Sequence, residues 1–255
     1  LRAWLVLQIK LLACAIQFLT RIPIPSSVGF QEDWVTRGAR YFPLVGQVVG
    51  GLSAVVLLLA GEVWNGWIAA TLAVAAGMAL TGAFHEDGLA DTADGLGGGQ
   101  TVARRLEIMK DSRVGTFGAV TLVLVLALKI LALGDMSGIG AAWALLAAHG
   151  LARAAAVVAM RLTPYAVQGE AGKWKPAPQG VRSSEVVCSL LLAIWPLAFL
   201  PSWAIAAGLI GGAALAIALG LIAKRLIGGH TGDVLGGIEQ VFEVGFLLGA
   251  AAIMT

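Results

Sequence analysis

The feature that most constrains this chain is a series of apolar runs long enough to cross a bilayer. They fall at roughly 42–60, 64–84, 114–134, 139–160, 185–200, 203–223 and 236–254. In lipid every backbone amide must find its partner within its own segment, so such runs are read as helices. About 20 residues cross a hydrocarbon core of about 30 Å. The stretch from Val186 to Ala223 is too long for one crossing, and Pro196 and Pro201 divide it. The first segment, Trp4 to Leu19, carries Gln8, Lys10 and Gln17, and reads as a helix that lies along the interface or re-enters. The pattern predicts an all-α, polytopic membrane helical bundle. It has about seven transmembrane helices plus that N-terminal helix, and residues 1–255 form a single integral membrane domain.

Composition excludes the soluble classes. Hydrophobic residues make up 58% of the chain and charged residues 13%, against about 25% charged in a soluble domain. The net charge of +2 supplies no basic field for nucleic acid. Cys14 and Cys188 lie far apart in apolar runs, which is neither a disulfide framework nor a zinc site. No cleavable signal peptide is expected, because Lys10 interrupts the early apolar stretch and no convincing cleavage site follows.

Charge placement orients the spans. The loops at 20–40, 85–113, 161–183 and 224–235 hold 13 of the 17 Lys and Arg residues, while the turns near 61–65, 134–138 and 200–202 hold none. Basic residues thus alternate with the spans, which predicts a multi-pass protein of the bacterial inner membrane with the long loops cytoplasmic. The short outer turns offer only Glu62 and Asp135, whereas six of the 15 acids lie between His85 and Arg113. Chemistry is therefore expected in cytoplasmic loops at 85–113, 161–183 and 224–239.

The acids of the first of these loops form a pattern. Asp87, Asp91 and Asp94 are spaced i, i+4, i+7, which places them within about 60° on one helical face. At about 6 Å each pair of carboxylates repels by about 0.7 kcal/mol in water, and by more near lipid. A divalent cation reverses the sign, and hard oxygen donors suit Mg²⁺. The plainer reading is a solvated helix end whose acids cap the next helix. The stripe's emergence from a membrane helix, where unpaired charge is costly, favours the metal. Gly88, Gly95 and Gly97 to Gly99 surround the acids, either to let a phosphate approach the backbone or simply to end the helix.

Downstream, Arg113 is placed to clamp a phosphate with its planar fork, with Lys110 as a point charge beside it. Asp111, Ser112 and Arg113 sit where the next span begins. A second acidic group, Asp233 with Glu239 and Glu243, opens the last span, where the helix dipole also favours acids. Thr92 to Gly98 and Thr231 to Gly237 match at five of seven positions, which reads as two related metal-facing turns or as chance in a glycine-rich chain. Inside the spans, His149 and Arg153 share a face at i, i+4, and Arg153 lies within reach of a phosphate site. Lys129 reads as a residue that snorkels toward the outer surface.

These residues carry a resemblance. His85-Glu86-Asp87-Gly88-Leu89-Ala90-Asp91-Thr92-Ala93-Asp94-Gly95, followed by Glu107-Ile108-Met109-Lys110-Asp111-Ser112-Arg113-Val114-Gly115-Thr116, resembles the cobalamin-5′-phosphate synthase family. These are the adenosylcobinamide-GDP ribazoletransferases. Thr20-Arg21-Ile22-Pro23, Phe42-Pro43-Leu44-Val45-Gly46 and the Thr231-Gly232-Asp233 turn are similar to that family in the same order. Tyr165-Ala166 also fits, whereas Gln168 to Lys175 departs from the family pattern. The resemblance implies a Mg²⁺-dependent transferase that joins adenosylcobinamide-GDP to α-ribazole or its 5′-phosphate and releases GMP. On that reading Asp87, Asp91, Asp94, Arg113 and Arg153 are the catalytic candidates. His85, Lys110, Ser112, His149 and Thr231 are the substrate-binding ones. Asp111, Asp233 and Glu239 join the three-aspartate stripe as metal ligands.

Two other functions fit parts of the pattern. A CDP-alcohol phosphotransferase uses a similar aspartate motif, but with Ala-Arg after the first Asp-Gly pair and wider spacing, which this chain lacks. A divalent-cation transporter would place its acids near the bilayer midplane within paired repeats, and no clear repeat of the spans is present. The expected partners are the two substrates and the lipid bilayer, without nucleic acid. Glycine-rich faces permit helix packing within or between subunits, so a homo-oligomer is compatible with the sequence.

Overall fold

A computed structural model describes residues 2–29, 31, 33–136, 138–166 and 180–254. The Gln168 to Lys175 stretch, with Trp174, lies outside the described residues. The chain is a helical bundle. Its α-helices are α1 (Arg2–Leu19), α2 (Trp34–Gly38), α3 (Phe42–Gly61), α4 (Gly66–Thr81), α5 (Phe84–Gly98) and α6 (Val102–Met109). They continue as α7 (Thr116–Asp135), α8 (Gly138–Leu162), α9 (Ser183–Ala193), α10 (Ser202–Ile227) and α11 (Gly232–Met254). Among the described residues, six helical segments are long and apolar enough to cross a membrane, or seven if the bent pair α4 and α5 counts as one. The N-terminal segment is among them. Expected along the interface or as a re-entrant segment, α1 buries Leu11, Cys14, Ala15 and Leu19 in one cluster with Trp34, Phe42 and Val157.

The run at 185–200 departs from a simple span. Its α-helix ends after eleven residues, and a 3-10 segment, Trp195–Phe199, follows. Pro196 has no N–H to offer the carbonyl of Leu192, so the α-helical ladder stops there. Gln47, buried on α3, supplies the missing donor: its Nε2 reaches the Leu192 carbonyl at 2.8 Å. The 3-10 segment carries Phe199 onto Trp143 near the start of α8, with ring centroids 4.0 Å apart.

Contacts sort the loops onto two ends, as the charge pattern requires. At one end the short turns meet: Trp67 Nε1 donates to Asp135 Oδ1 at 3.2 Å. At the other end the basic loops gather. Arg40 pairs with Glu185 at 2.5 Å, and Arg105 Nη1 donates to the Leu226 carbonyl at 3.2 Å. Thr163 bonds His230 Nδ1 at 2.8 Å. Tyr165 and His230 form an isolated parallel bridge there.

Small residues let the central helices touch. A Cβ on Gly50 of α3 would lie 3.0 Å from His149 Cβ on α8. Gly211 of α10 and Gly245 of α11 each face the other's backbone carbonyl, so neither tolerates a side chain. This is the small-residue packing that membrane helices use where no hydrophobic effect drives them together.

Candidate active site

The site is made by a sharp break in the chain. Helix α4 closes on Gly82 at φ 70°, and Ala83 also adopts a left-handed conformation at φ 56°. A non-glycine residue there is strained, so packing must hold it. The result is that α5 leaves α4 at 91°. The acidic stripe therefore lies on a helix that runs across the bundle rather than along a span, at the end where the basic loops gather.

Helix α5 has two chemically distinct faces. Its outer face carries Asp87, which is exposed, and Asp91, which is half-buried. Asp94 is buried, and its two oxygens accept from the amides of Gly115 at 2.7 Å and Gly118 at 2.9 Å. Asp94 thus caps α7, meeting amides that a helix start leaves without intrahelical partners. The expected three-aspartate stripe is, in the fold, an outward pair and an inward cap.

Asp233 comes to the same place from the last helix. A Cβ on Gly88 would lie 2.9 Å from the Asp233 carbonyl, and one on Gly236 would lie 3.3 Å from His85 Cα. Here α5 crosses the start of α11 at backbone contact, so Asp233 stands beside the residues that flank Gly88. The matched segments Thr92 to Gly98 and Thr231 to Gly237 are not two related turns. The first is the interior and end of α5, while the second opens α11, with Thr231 Oγ1 accepting from Val234 N at 3.2 Å. Thr231 is buried in that cap.

The segment after α6 is open. Lys110, Ser112 and Arg113 are exposed. Asp111 and Arg113 pair at 2.6 Å, and the guanidinium beside it holds the Asp111 carboxyl down at about 2. Because Asp94 grips Gly115, this basic segment is tied to the C-terminal half of α5.

The inner face of α5 meets a buried polar network, of which sequence reasoning placed only parts. Lys129 of α7 donates to Glu243 at 2.5 Å and to Gln240 at 2.7 Å, both on α11. His149 Nδ1 lies 2.7 Å from Glu243, and Arg153 lies 2.7 Å from Glu239 and 3.3 Å from Glu243. Gln240 Nε2 donates to Glu239 at 3.0 Å and to Glu86 at 3.1 Å. His85 sits 3.9 Å from Glu239, against the ring of Phe84. Lys129 does not snorkel: it is 4% exposed and its ammonium is held inward.

This geometry limits the roles open to the buried residues. Arg153 is 2% exposed and committed to two carboxylates. The cavity beside it measures about 20 Å³, which is room for about one water and none for a phosphate. His149, Glu239 and Glu243 do bring ligand atoms within 4.8 Å of one another. Arg153 and Lys129 already neutralise those glutamates, so a divalent ion there would face two positive charges. The network is an ion-pair centre that joins α5, α7, α8 and α11, whereas Asp87 on the outer face of α5 is exposed.

The signal for the network was present in the sequence. Glu239 with Glu243 on one span and His149 with Arg153 on another are both i, i+4 pairs, of complementary charge. Glu86, Gln240 and Lys129 gave no such pairing, because their partners lie 111 and 154 residues away.

Comparison with known proteins follows the same lines. The sequence profile of the family described as Cobalamin-5-phosphate synthase matches residues 11–251. A protein of Leptothrix cholodnii named adenosylcobinamide-GDP ribazoletransferase is 44% identical, over 97% of each chain. Proteins of the same name from Ralstonia pickettii, 43% identical over 94% of each chain, and Vibrio cholerae, 39% identical over 93% of this chain and 91% of theirs, are also similar. No solved structure matches the chain.

Proposed function

This chain belongs to the cobalamin-5-phosphate synthase family, and from that membership we infer that it is an adenosylcobinamide-GDP ribazoletransferase. It joins adenosylcobinamide-GDP to α-ribazole or its 5′-phosphate, at the cytoplasmic face of the inner membrane, and releases GMP. The observation that carries the reading at the level of residues is the backbone crossing at Gly88. It brings the Asp233 backbone onto the turn of α5 that carries Asp87 and Asp91, and Lys110 and Arg113 are exposed in the loop that Asp94 ties to the same helix.

The donor set fits Mg²⁺. Asp87, Asp91 and Asp233 offer hard carboxylate oxygens at an accessible surface, where an octahedral ion that keeps several waters can sit. These three would hold it. Asp94 is committed to α7 and Glu239 to Arg153, so they form the surroundings, and Asp111 is the partner that Arg113 holds before a substrate phosphate arrives. When bound, the ion would neutralise the pyrophosphate and the developing charge on the leaving GMP.

The chain's own groups account for the rest. Arg113 can exchange its exposed Asp111 partner for a substrate phosphate, which its planar fork accepts in two hydrogen bonds. Lys110 adds a positive charge nearby, and Ser112 an exposed hydroxyl donor. Attack by a ribose hydroxyl on the β-phosphorus forms one P–O bond, breaks the bond to GMP, and releases one proton. A carboxylate of the Asp87 and Asp91 pair accepts that proton. Arg153 and His149 act at a distance, by holding α8 against α11.

The test is GMP release by purified protein in lipid, given adenosylcobinamide-GDP and α-ribazole 5′-phosphate, with and without Mg²⁺. The expected result is Mg²⁺-dependent GMP and cobalamin phosphate, abolished by Asp91→Asn. Folded protein that releases no GMP under any condition overturns the reading.

A further inference from the structure

Helix α10 is an outlier in the bundle: it is 26 residues long, yet only 11% of its most apolar window is buried. Its glycines lock it to α11, through Gly208, Gly211 and Gly212 against Phe246, Gly245 and Phe242. Beside that lock a cleft of about 450 Å³ lies between α10 and α8, with Leu190 of α9 and Ile238 and Phe242 of α11 completing its lining. That volume lies within the range of about 300–1,000 Å³ typical of ligand sites.

The cleft has a polarity. Along α8 it extends from Leu151 to Leu162, which at 1.5 Å per residue is about 16 Å, or about half the hydrocarbon core. Its walls are apolar and small, with Ala155, Ala159, Ala213 and Gly220 keeping it open. Among the described residues, polar lining is confined to one end, at Thr163 and Lys224, and none of the lining is acidic. That end is the one where the basic loops gather, because Thr163 bonds His230 and Arg105 bonds Leu226 in the last turn of α10. Lys224 is exposed there, in the last turn of α10.

We propose that this cleft is a binding site for one anionic phospholipid of the leaflet at that end, with an acyl chain between α8 and α10 and its phosphate on Lys224. The match is of length, polarity and charge. A cleft one leaflet deep admits one chain, and among the described residues that line it the one charged group is the Lys224 cation at the mouth. The occupant completes the packing of α10, which the protein itself leaves half open. The inference is independent of the transferase reading, since it uses no residue of the α5 site.

The experiment is native mass spectrometry of the full chain released from nanodiscs of phosphatidylglycerol or of phosphatidylcholine. Wild type should retain one phosphatidylglycerol per chain and hold phosphatidylcholine more weakly. Lys224→Gln should lower the preference by about fivefold, the scale of one basic side chain at an anionic surface. Ala213→Leu and Gly220→Leu should reduce retention of both lipids, because each fills the cleft while keeping the charge. Thermal melting and size exclusion confirm that the variants are folded, and two filling variants guard against the loss of either. Equal retention of the two lipids by wild type, or unchanged retention in the filled variants, overturns the proposal. So does a dimer that buries the cleft without lipid.

Discussion

Glu243 on α11 accepts a proton-bearing contact from Lys129 on α7 at 2.5 Å, 114 residues away in sequence, with His149 and Arg153 of α8 on its other oxygen. One carboxylate thus joins three helices inside the bundle. Removing one partner of a buried pair costs about 3–5 kcal/mol, because the other charge is left uncompensated. Lys129→Ala should therefore lower the thermal midpoint strongly in detergent. The double variant Lys129→Met with Glu243→Gln should recover part of the loss, since it removes both charges. A double-mutant cycle without coupling between the two positions would remove the network from the account of stability.

The two aspartates Asp91 and Asp94 should separate by the kind of damage they cause. Asp94→Ala removes the acceptor of the Gly115 and Gly118 amides, and caps of this sort are worth about 1–2 kcal/mol. Asp94→Asn retains an acceptor oxygen and should melt closer to wild type. Asp91→Asn should leave the melting point in place and eliminate GMP release. If Asp91→Asn stays active while Asp94→Asn does not, the roles are assigned the wrong way round.

Asp111 gives a pH signature. Its carboxyl titrates at about 2 rather than near 3.8, chiefly through hydrogen bonds from Arg113. A depressed folded value contributes stability above the unfolded value, and the contribution is lost as pH falls from about 3.8 through about 2. The pair should therefore be intact at neutral pH and open only in strong acid. Carbon-detected NMR of the Asp111 carboxyl should show a midpoint near 2 that moves up toward 3.8 in Arg113→Ala. An unchanged midpoint in that variant rules out Arg113 as the cause.

The Gly88 crossing should be intolerant of side chains. Any Cβ there would press on the Asp233 backbone at 2.9 Å, and overpacking of this kind costs about 1–3 kcal/mol. Gly88→Val should also displace Asp233 from Asp87 and Asp91, so GMP release should fall further than stability does. Gly61→Ala, at the opposite end with nothing within 4 Å, serves as the comparison for both measurements. Equal activity of the two variants would dissociate the crossing from the chemistry.

The sequence by itself determined the fold class, the two-ended distribution of charge and the family. Apolar runs of span length have one stable solution in lipid, and the positions of Lys and Arg between them are local facts. It also marked Asp87, Asp91 and Asp94 as candidates, because helical spacing follows from neighbours in the chain, and Asp233 by its place at the start of the last span. Tertiary structure decided the rest. The 91° break at Gly82 and Ala83 turned α5 across the bundle, where Asp94 caps α7, and the crossing at Gly88 brought the Asp233 backbone onto α5. It drew Arg153, expected at a phosphate, onto Glu239 and Glu243 instead. Which charge answers which is set by approach in space, and Arg153 and Glu243, 90 positions apart, carry no local mark of each other.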